Sequence, residues 1–263
     1  MGNNSSIQWT DATWNIARGC SKIDQDCKYC YMYRDSEKYG YDAKAVVRTK
    51  TVFDLPLKLK EPKLIFASSL TDFFHEEIDS YRHEAWEMVR KCPQHTFQIL
   101  TKRPERILGQ LPEDWGQGWK NVWIGTSVGS PAGMQRIFDL LEVPAVTRFI
   151  SFEPLHEPIS LDHIDLSKIG WAIVGGESGN ENGKYKYRPC EIEWIESLVE
   201  QCHNAGVPVF VKQLGTSLSK KLKMSDRHGG DISEFPSHLQ IREMPLEYTR
   251  PEKEINNLCN VLN

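Results

Sequence analysis

Gly170-Trp171-Ala172-Ile173-Val174-Gly175 runs without a single charged residue. A strand with one face in water alternates polar and apolar side chains, whereas a strand covered on both faces, as in a parallel sheet, reads as a continuous apolar run. Five further runs, uncharged at their centres, share this character: Leu64 to Ser68, Thr96 to Leu100, Asn121 to Thr126, Thr147 to Phe152 and Val207 to Val211. The intervals predict helices over Ser80 to Lys91, Pro104 to Leu111, Pro131 to Leu141 and Glu191 to Asn204. Asp79 or Ser80 suits a helix cap, Pro104 and Pro131 suit a first helical turn, and Gly206 suits a helix end. This βα alternation predicts an α/β fold with a mostly parallel sheet. With a short strand before Cys20 the count is about seven, one fewer than a closed eight-stranded barrel. The expected architecture is therefore a partial parallel βα barrel of six or seven strands over residues 1–215, or an open α/β sheet. Residues 216–263 form a loop-rich C-terminal extension closing with a short helix near Pro251 to Val261.

The chain has 263 residues, 40% hydrophobic and 26% charged, as expected of a globular protein. No apolar run approaches the ~18 residues of a membrane span. Met1 to Ser6 is polar and unlike a secretory signal, so a cytoplasmic, reducing location is expected, where cysteines serve as thiols or metal ligands. A net charge of −4 argues against global electrostatic capture of nucleic acid. A local basic groove remains open at Lys220, Lys221, Lys223, Arg227 and His228, whose alternative is a solvated loop.

The one tight cysteine cluster is Cys20, Cys27 and Cys30, spaced C-x6-C-x2-C. Three thiolates on one loop are soft ligands suited to an iron-sulfur cluster or to zinc. A four-iron cluster held by three cysteines keeps one iron open for a reactant. Closed zinc needs a fourth ligand, and no second C-x-x-C or C-x-x-H pair supplies it. Cys92, Cys190, Cys202 and Cys259 stand alone.

Three cysteines in one loop, an aromatic before the third and a following βα barrel resemble the radical S-adenosylmethionine superfamily. The usual spacing there is C-x3-C-x2-C, so the first gap is enlarged here. Trp9 to Asn15, Ser69 to His75, Leu100 to Pro104, Ser151 to Leu155 and Val174 to Gly179 look like a phage-associated family with the same three-cysteine motif and no settled reaction; the likeness covers about Ile7 to Gly215. The superfamily resemblance implies a 4Fe-4S cluster on Cys20, Cys27 and Cys30, with S-adenosylmethionine chelated at the open iron and cleaved to a 5'-deoxyadenosyl radical that abstracts hydrogen from a substrate. Such cofactors carry the hard chemistry while the protein orients them. The resemblance also implies an electron donor such as a flavodoxin or ferredoxin, and places Tyr29 near the adenine; the other reading of Tyr29 is packing of the loop.

Every strand runs into polar residues or glycines at its C-terminal end, where a parallel βα architecture gathers its chemistry. Ser68, Ser69 and Asp72 follow the first, Lys102 the second, Thr126 and Ser127 the third, Glu153 the fourth, Gly175, Gly176 and Glu177 the fifth, and Lys212 the last. These are the expected cofactor contacts, with Lys102, Glu153 and Lys212 the candidate catalytic groups. Glu153 and Glu177 could instead pair with Lys102 and Lys212, since buried carboxylates need partners. His75, among phenylalanines, fits a packed role better than an acid-base one.

The sequence thus points to a radical S-adenosylmethionine enzyme acting on an unidentified substrate, with nucleic acid or a nucleobase one class and a partner protein not excluded. The alternative is a non-catalytic binding protein whose loop is stapled by iron-sulfur or zinc. A hydrolase finds no G-x-S-x-G elbow or H-E-x-x-H pair.

Overall fold

A computed structural model describes residues 5–248, so the expected helix near Pro251 to Val261 and Cys259 lie outside the described residues. The strands, in chain order, are β1 (Ala12–Trp14), β2 (Ala17–Arg18), β3 (Val47–Arg48), β4 (Leu64–Ala67), β5 (Thr96–Thr101), β6 (Val122–Ser127), β7 (Thr147–Leu155), β8 (Trp171–Gly176) and β9 (Val209–Gln213). β2 and β3 pair antiparallel as a small ribbon. The other seven form one parallel sheet in the order β1-β4-β5-β6-β7-β8-β9, so spatial order follows chain order. This is the winding of a βα barrel, and the sheet curls into a partial one. The α-helices are α1 (Tyr31–Lys38), α2 (Leu55–Lys58), α3 (Arg82–Lys91), α4 (Gln135–Leu141), α5 (Ile192–Asn204) and α6 (Gly215–Lys221).

Successive strand residues point to opposite faces, and both faces here are buried. Ile65, Phe97, Ile99, Ile124, Ile150, Val174 and Val211 face outward and share a core with Trp86 and Val89 of α3 and Ile195 and Leu198 of α5. The inward positions at the strand starts carry Leu64, Phe66, Trp123, Phe149, Trp171 and Phe210, and Trp9 packs among them. Gly125 lies opposite Phe149, where a Cβ would meet the phenylalanine ring at 2.6 Å, so glycine gives that ring its place. Stepping by two residues along the same inward face exchanges aromatics for polar groups: Phe66 leads to Ser68, Phe149 to Ser151 and Glu153, and Phe210 to Lys212. An aromatic floor and a polar mouth follow from this one alternation.

Several local expectations change. Pro104 to Leu111 is not a helix but two 3-10 turns, Pro104–Arg106 and Leu108–Gln110. Gly109 weakens helix there, and Pro112 forces Leu111 extended, at ψ 150°. Pro131–Gly133 is likewise a 3-10 turn preceding α4. Neither Asp79 nor Ser80 caps α3: Tyr81 holds the cap position without a side-chain bond, and Asp79 instead pairs with Arg82 at 2.7 Å and Arg106 at 2.8 Å. Gly206 does follow α5 in the left-handed region, at φ +74°. Beyond α6, Phe235 and Leu239 join the outer core, and the backbone N–H of Val211 donates to Ile241 O at 2.9 Å, so the chain returns to cover the exposed edge of β9. No helix of the described residues is long and apolar enough to cross a membrane.

Candidate metal centre and cavity

The cysteine loop crosses the mouth formed by the strand C-terminal ends. Cys20 is fixed by its backbone N–H, which donates to Ala43 O at 2.9 Å, and by Gly19, at φ +96°, where a Cβ would overlap Ala45 O at 2.1 Å. Cys27 closes a 3-10 turn capped by the Asp24 carboxylate, which accepts from the Asp26 N–H at 2.9 Å. Cys30 sits at the start of α1. All three side chains line one cavity of about 260 Å³, below the ~300–1,000 Å³ of typical small-molecule sites.

The enlarged gap between Cys20 and Cys27 has a physical role. Asp26, 5% exposed, accepts from Arg136 Nη1 at 2.9 Å, His156 Nε2 at 2.8 Å and the Gly129 N–H at 3.1 Å. Burial works against its charge, but the His156 and Gly129 donors and the Lys102 ammonium hold its pKa below the ordinary value. A buried carboxylate inside the loop thereby ties it to the ends of β6 and β7. Arg188 adds a strap, donating to Gln25 O at 2.8 Å.

A second network supports Cys20. Asp72 accepts from the N–H groups of Phe74 and Lys102 and from Thr101 Oγ1, and pairs with Arg103 at 3.2 Å. Arg103 in turn donates to Ser21 O at 3.2 Å and Ser21 Oγ at 2.7 Å, with a longer contact to Cys20 Sγ at 3.8 Å. Burial pushes the Cys20 thiol up to about 11, with Asp72 adding to the rise and Arg103 opposing it. Burial also raises the Cys30 thiol. His75 is packed and bonded: Nδ1 accepts from the Glu77 N–H at 3.2 Å, Nε2 lies 2.9 Å from Ser21 Oγ, and burial lowers its pKa.

Of the expected site residues, Tyr29, Ser68, Ser69, Asp72, Lys102, Ser127, Glu153, Glu177 and Lys212 line the cavity with the three cysteines. Thr126, Gly175 and Gly176 do not. Thr126 Oγ1 donates to Thr101 O at 2.8 Å within the sheet. Gly176 serves backbone packing, since a Cβ there would meet Leu214 O at 2.3 Å. Glu153 pairs with Lys212 at 2.5 Å, one of the pairings expected. Glu177 does not pair with a lysine: Arg188 clasps it with two side-chain N–H groups, at 2.6 and 2.9 Å. The Lys102 backbone N–H is taken by Asp72, but its ammonium makes no hydrogen bond or ion pair among the described residues; burial disfavours its charge, yet Cys27, Asp26 and Cys30 together raise its pKa. Ser68 holds a strained left-handed backbone at φ +68°, and its buried Oγ has no protein partner. Such strain and such an orphaned hydroxyl concentrate at ligand sites.

Among the described residues no group of three His, Cys, Asp or Glu side chains is arranged to hold a metal ion. Structural zinc needs four donors, with thiolates at about 2.3 Å. In a cluster each thiolate binds its own iron, so the sulfurs stand farther apart. The three cysteines line one cavity beside Lys102 and Arg103, and three thiolate donors are the number that would leave one iron of a four-iron cluster open.

Fold and site together define a class: partial βα-barrel proteins whose N-terminal cysteine loop lies over the polar mouth of the sheet. The chain belongs to the family described as "Protein of unknown function (DUF5131)", which matches residues 4–242. No curated protein and no solved structure matches it.

Proposed function

We propose that this protein is a radical S-adenosylmethionine enzyme whose Cys20, Cys27 and Cys30 ligate a 4Fe-4S cluster. The observation that carries the reading is that three cysteines from one loop line the same cavity as Ser68, Lys102, Glu153, Glu177 and Lys212, which arrive from five separate strand ends. When bound, the cluster and its cofactor supply one-electron reductive cleavage of the sulfonium. The protein's own part is positional. Asp72 and Arg103 hold the Cys20 end of the loop, and Asp26 with Arg136 holds the Cys27 end. Lys102 offers positive charge beside Cys27 and Cys30, which offsets repulsion among thiolates gathered in a water-poor site. Ser68 Oγ and the Glu153–Lys212 pair offer polar contacts to the cofactor or substrate. The aromatic floor beneath them limits access of bulk water from the strand starts. Reduction calls for an external electron donor of the flavodoxin or ferredoxin type.

Anaerobic reconstitution followed by iron and sulfide analysis and titration with S-adenosylmethionine tests the reading. The expected result is a four-iron cluster whose spectrum changes on cofactor addition, with 5'-deoxyadenosine released after reduction. Full cluster occupancy in the Cys27→Ala protein, or a spectrum indifferent to S-adenosylmethionine, would overturn it.

A further inference from the structure

Three basic segments far apart in sequence, the first two carrying tyrosines as well, meet beside the cavity. Lys184-Tyr185-Lys186-Tyr187-Arg188 is the first. It docks on the cysteine loop and α1: Arg188 stacks over Tyr29 at 5.8 Å and Lys184 pairs with Glu37 at 3.3 Å. The second is the turn after α1, where Tyr39 and Tyr41 lie 6.4 Å apart, 61% and 48% exposed. The guanidinium of Arg18 covers Tyr41 at 4.1 Å, two residues before Cys20. The third is the basic run from the last turn of α6 onward, where Lys220 stacks on Tyr187 at 5.6 Å and His228 feels the charges of Arg34 and Lys212.

We propose that this rim is a binding surface for single-stranded nucleic acid, placing one nucleotide at the cavity mouth. Some of its cations are already balanced, as Lys220 is by Glu181 and Lys221 by Glu191. Lys28, Lys38, Lys186 and Arg227 are exposed and make no ion pair among the described residues, so they remain for phosphates. The tyrosines decide the class of polyanion. An acidic peptide or an anionic bilayer needs charge alone, whereas exposed rings beside cations are what unpaired bases stack on. A duplex hides its base faces and could not use them. A net charge of −4 over the whole chain confines the attraction to this surface and keeps it sensitive to salt. This surface goes beyond the proposed reaction and does not require a cluster.

The test is fluorescence anisotropy of a labelled oligo(dT) with the full chain, between about 50 and 200 mM salt, where each phosphate contact to a single strand contributes a log–log slope of about −0.7. Lys186→Glu and Arg227→Glu are each expected to weaken binding and flatten that slope. Tyr39→Ala is expected to weaken binding by roughly tenfold with the slope unchanged, as loss of one stacked base would. Lys120→Glu, at the opposite end of the sheet before β6, should bind as the parent does. All four substitutions are at exposed positions or loops, and circular dichroism confirms that each protein is folded. Absence of binding at the lowest salt, equal effects of Lys120→Glu and Lys186→Glu, an unaffected Tyr39→Ala protein, or equal competition by polyglutamate or anionic vesicles would each overturn the proposal. None of these results depends on iron content, so failure here is separable from failure of the proposed chemistry.

Discussion

Replacing Asp26 by alanine should be among the most damaging single changes in the cysteine loop. The carboxylate is 1% exposed and pairs with Arg136, whose side chain is itself 9% exposed, and with His156, 5% exposed. Removing it leaves the buried Arg136 guanidinium only the partly exposed Asp24 carboxylate and the Ser127 carbonyl, and orphans the Gly129 N–H. Breaking one side of a buried pair costs about 3–5 kcal/mol when the remaining charge is left uncompensated; Asp24 still faces Arg136, so the loss here falls at the lower end, about 3 kcal/mol. Domains are stable by only about 5–15 kcal/mol, so much of the margin would go. At about 2–4 °C per kcal/mol for a chain of this size, the melting temperature should fall by about 6–12 °C. Asp26→Asn keeps the shape and one acceptor, so a smaller loss is expected. Thermal and urea denaturation followed by circular dichroism reads both variants, and the Asp26→Ala/His156→Ala double mutant reads their coupling. A fall of less than about 3 °C for Asp26→Ala, or additive behaviour of the double mutant, would refute the view that this carboxylate braces the loop.

Other outcomes follow from the same geometry. Gly176→Ala places a methyl against Leu214 O, at 2.3 Å before relaxation, and should cost about 1–3 kcal/mol, measured by denaturant titration. Arg103→Ala leaves Asp72 buried without its cation and leaves Ser21 held only by His75; limited proteolysis should then cut faster within residues 21–29 than in the parent, and an unchanged rate would argue against the clasp. His95 is wholly buried, its Nε2 is 3.0 Å from Pro56 O, and burial lowers its pKa from 6.5. Its folded-state value lies below the unfolded one, so its contribution to stability is intact above pH 6.5 and declines as pH falls toward the folded value. Urea midpoints should therefore drop on acidification through that window, and His95→Phe should flatten the drop.

The strands were legible because burial on both faces leaves an unbroken apolar signature, which Leu64 to Ala67 and Trp171 to Val174 display plainly. The β2–β3 ribbon was not, since two residues per strand carry no periodicity. The helix expected from Pro104 failed because its apolar spacing outweighed Gly109 and Pro112, which break a helix too short to absorb them. At the site, the cysteines and the polar strand ends were readable from spacing and position. The braces were not: Asp26 meets Arg136 and His156 across 110 and 130 residues, a pairing no local pattern encodes. Arg188 took Glu177 from the expected lysines for the same reason, its guanidinium fork matching the carboxylate better than a single ammonium can.

Trp9 precedes the first strand yet rests its ring 6.2 Å from that of Trp171 on β8, and 4.7 Å from Phe66 on β4. Where a complete barrel would join its first and last strands through backbone hydrogen bonds, this contact joins distant parts of the sheet through ring surfaces. Backbone ladders lock register, whereas ring contacts tolerate sliding and tilting at small cost. Trp9 also lines the cavity that the three cysteines enter, so ring surfaces hold that cavity together across the sheet where a closed barrel would use backbone pairing.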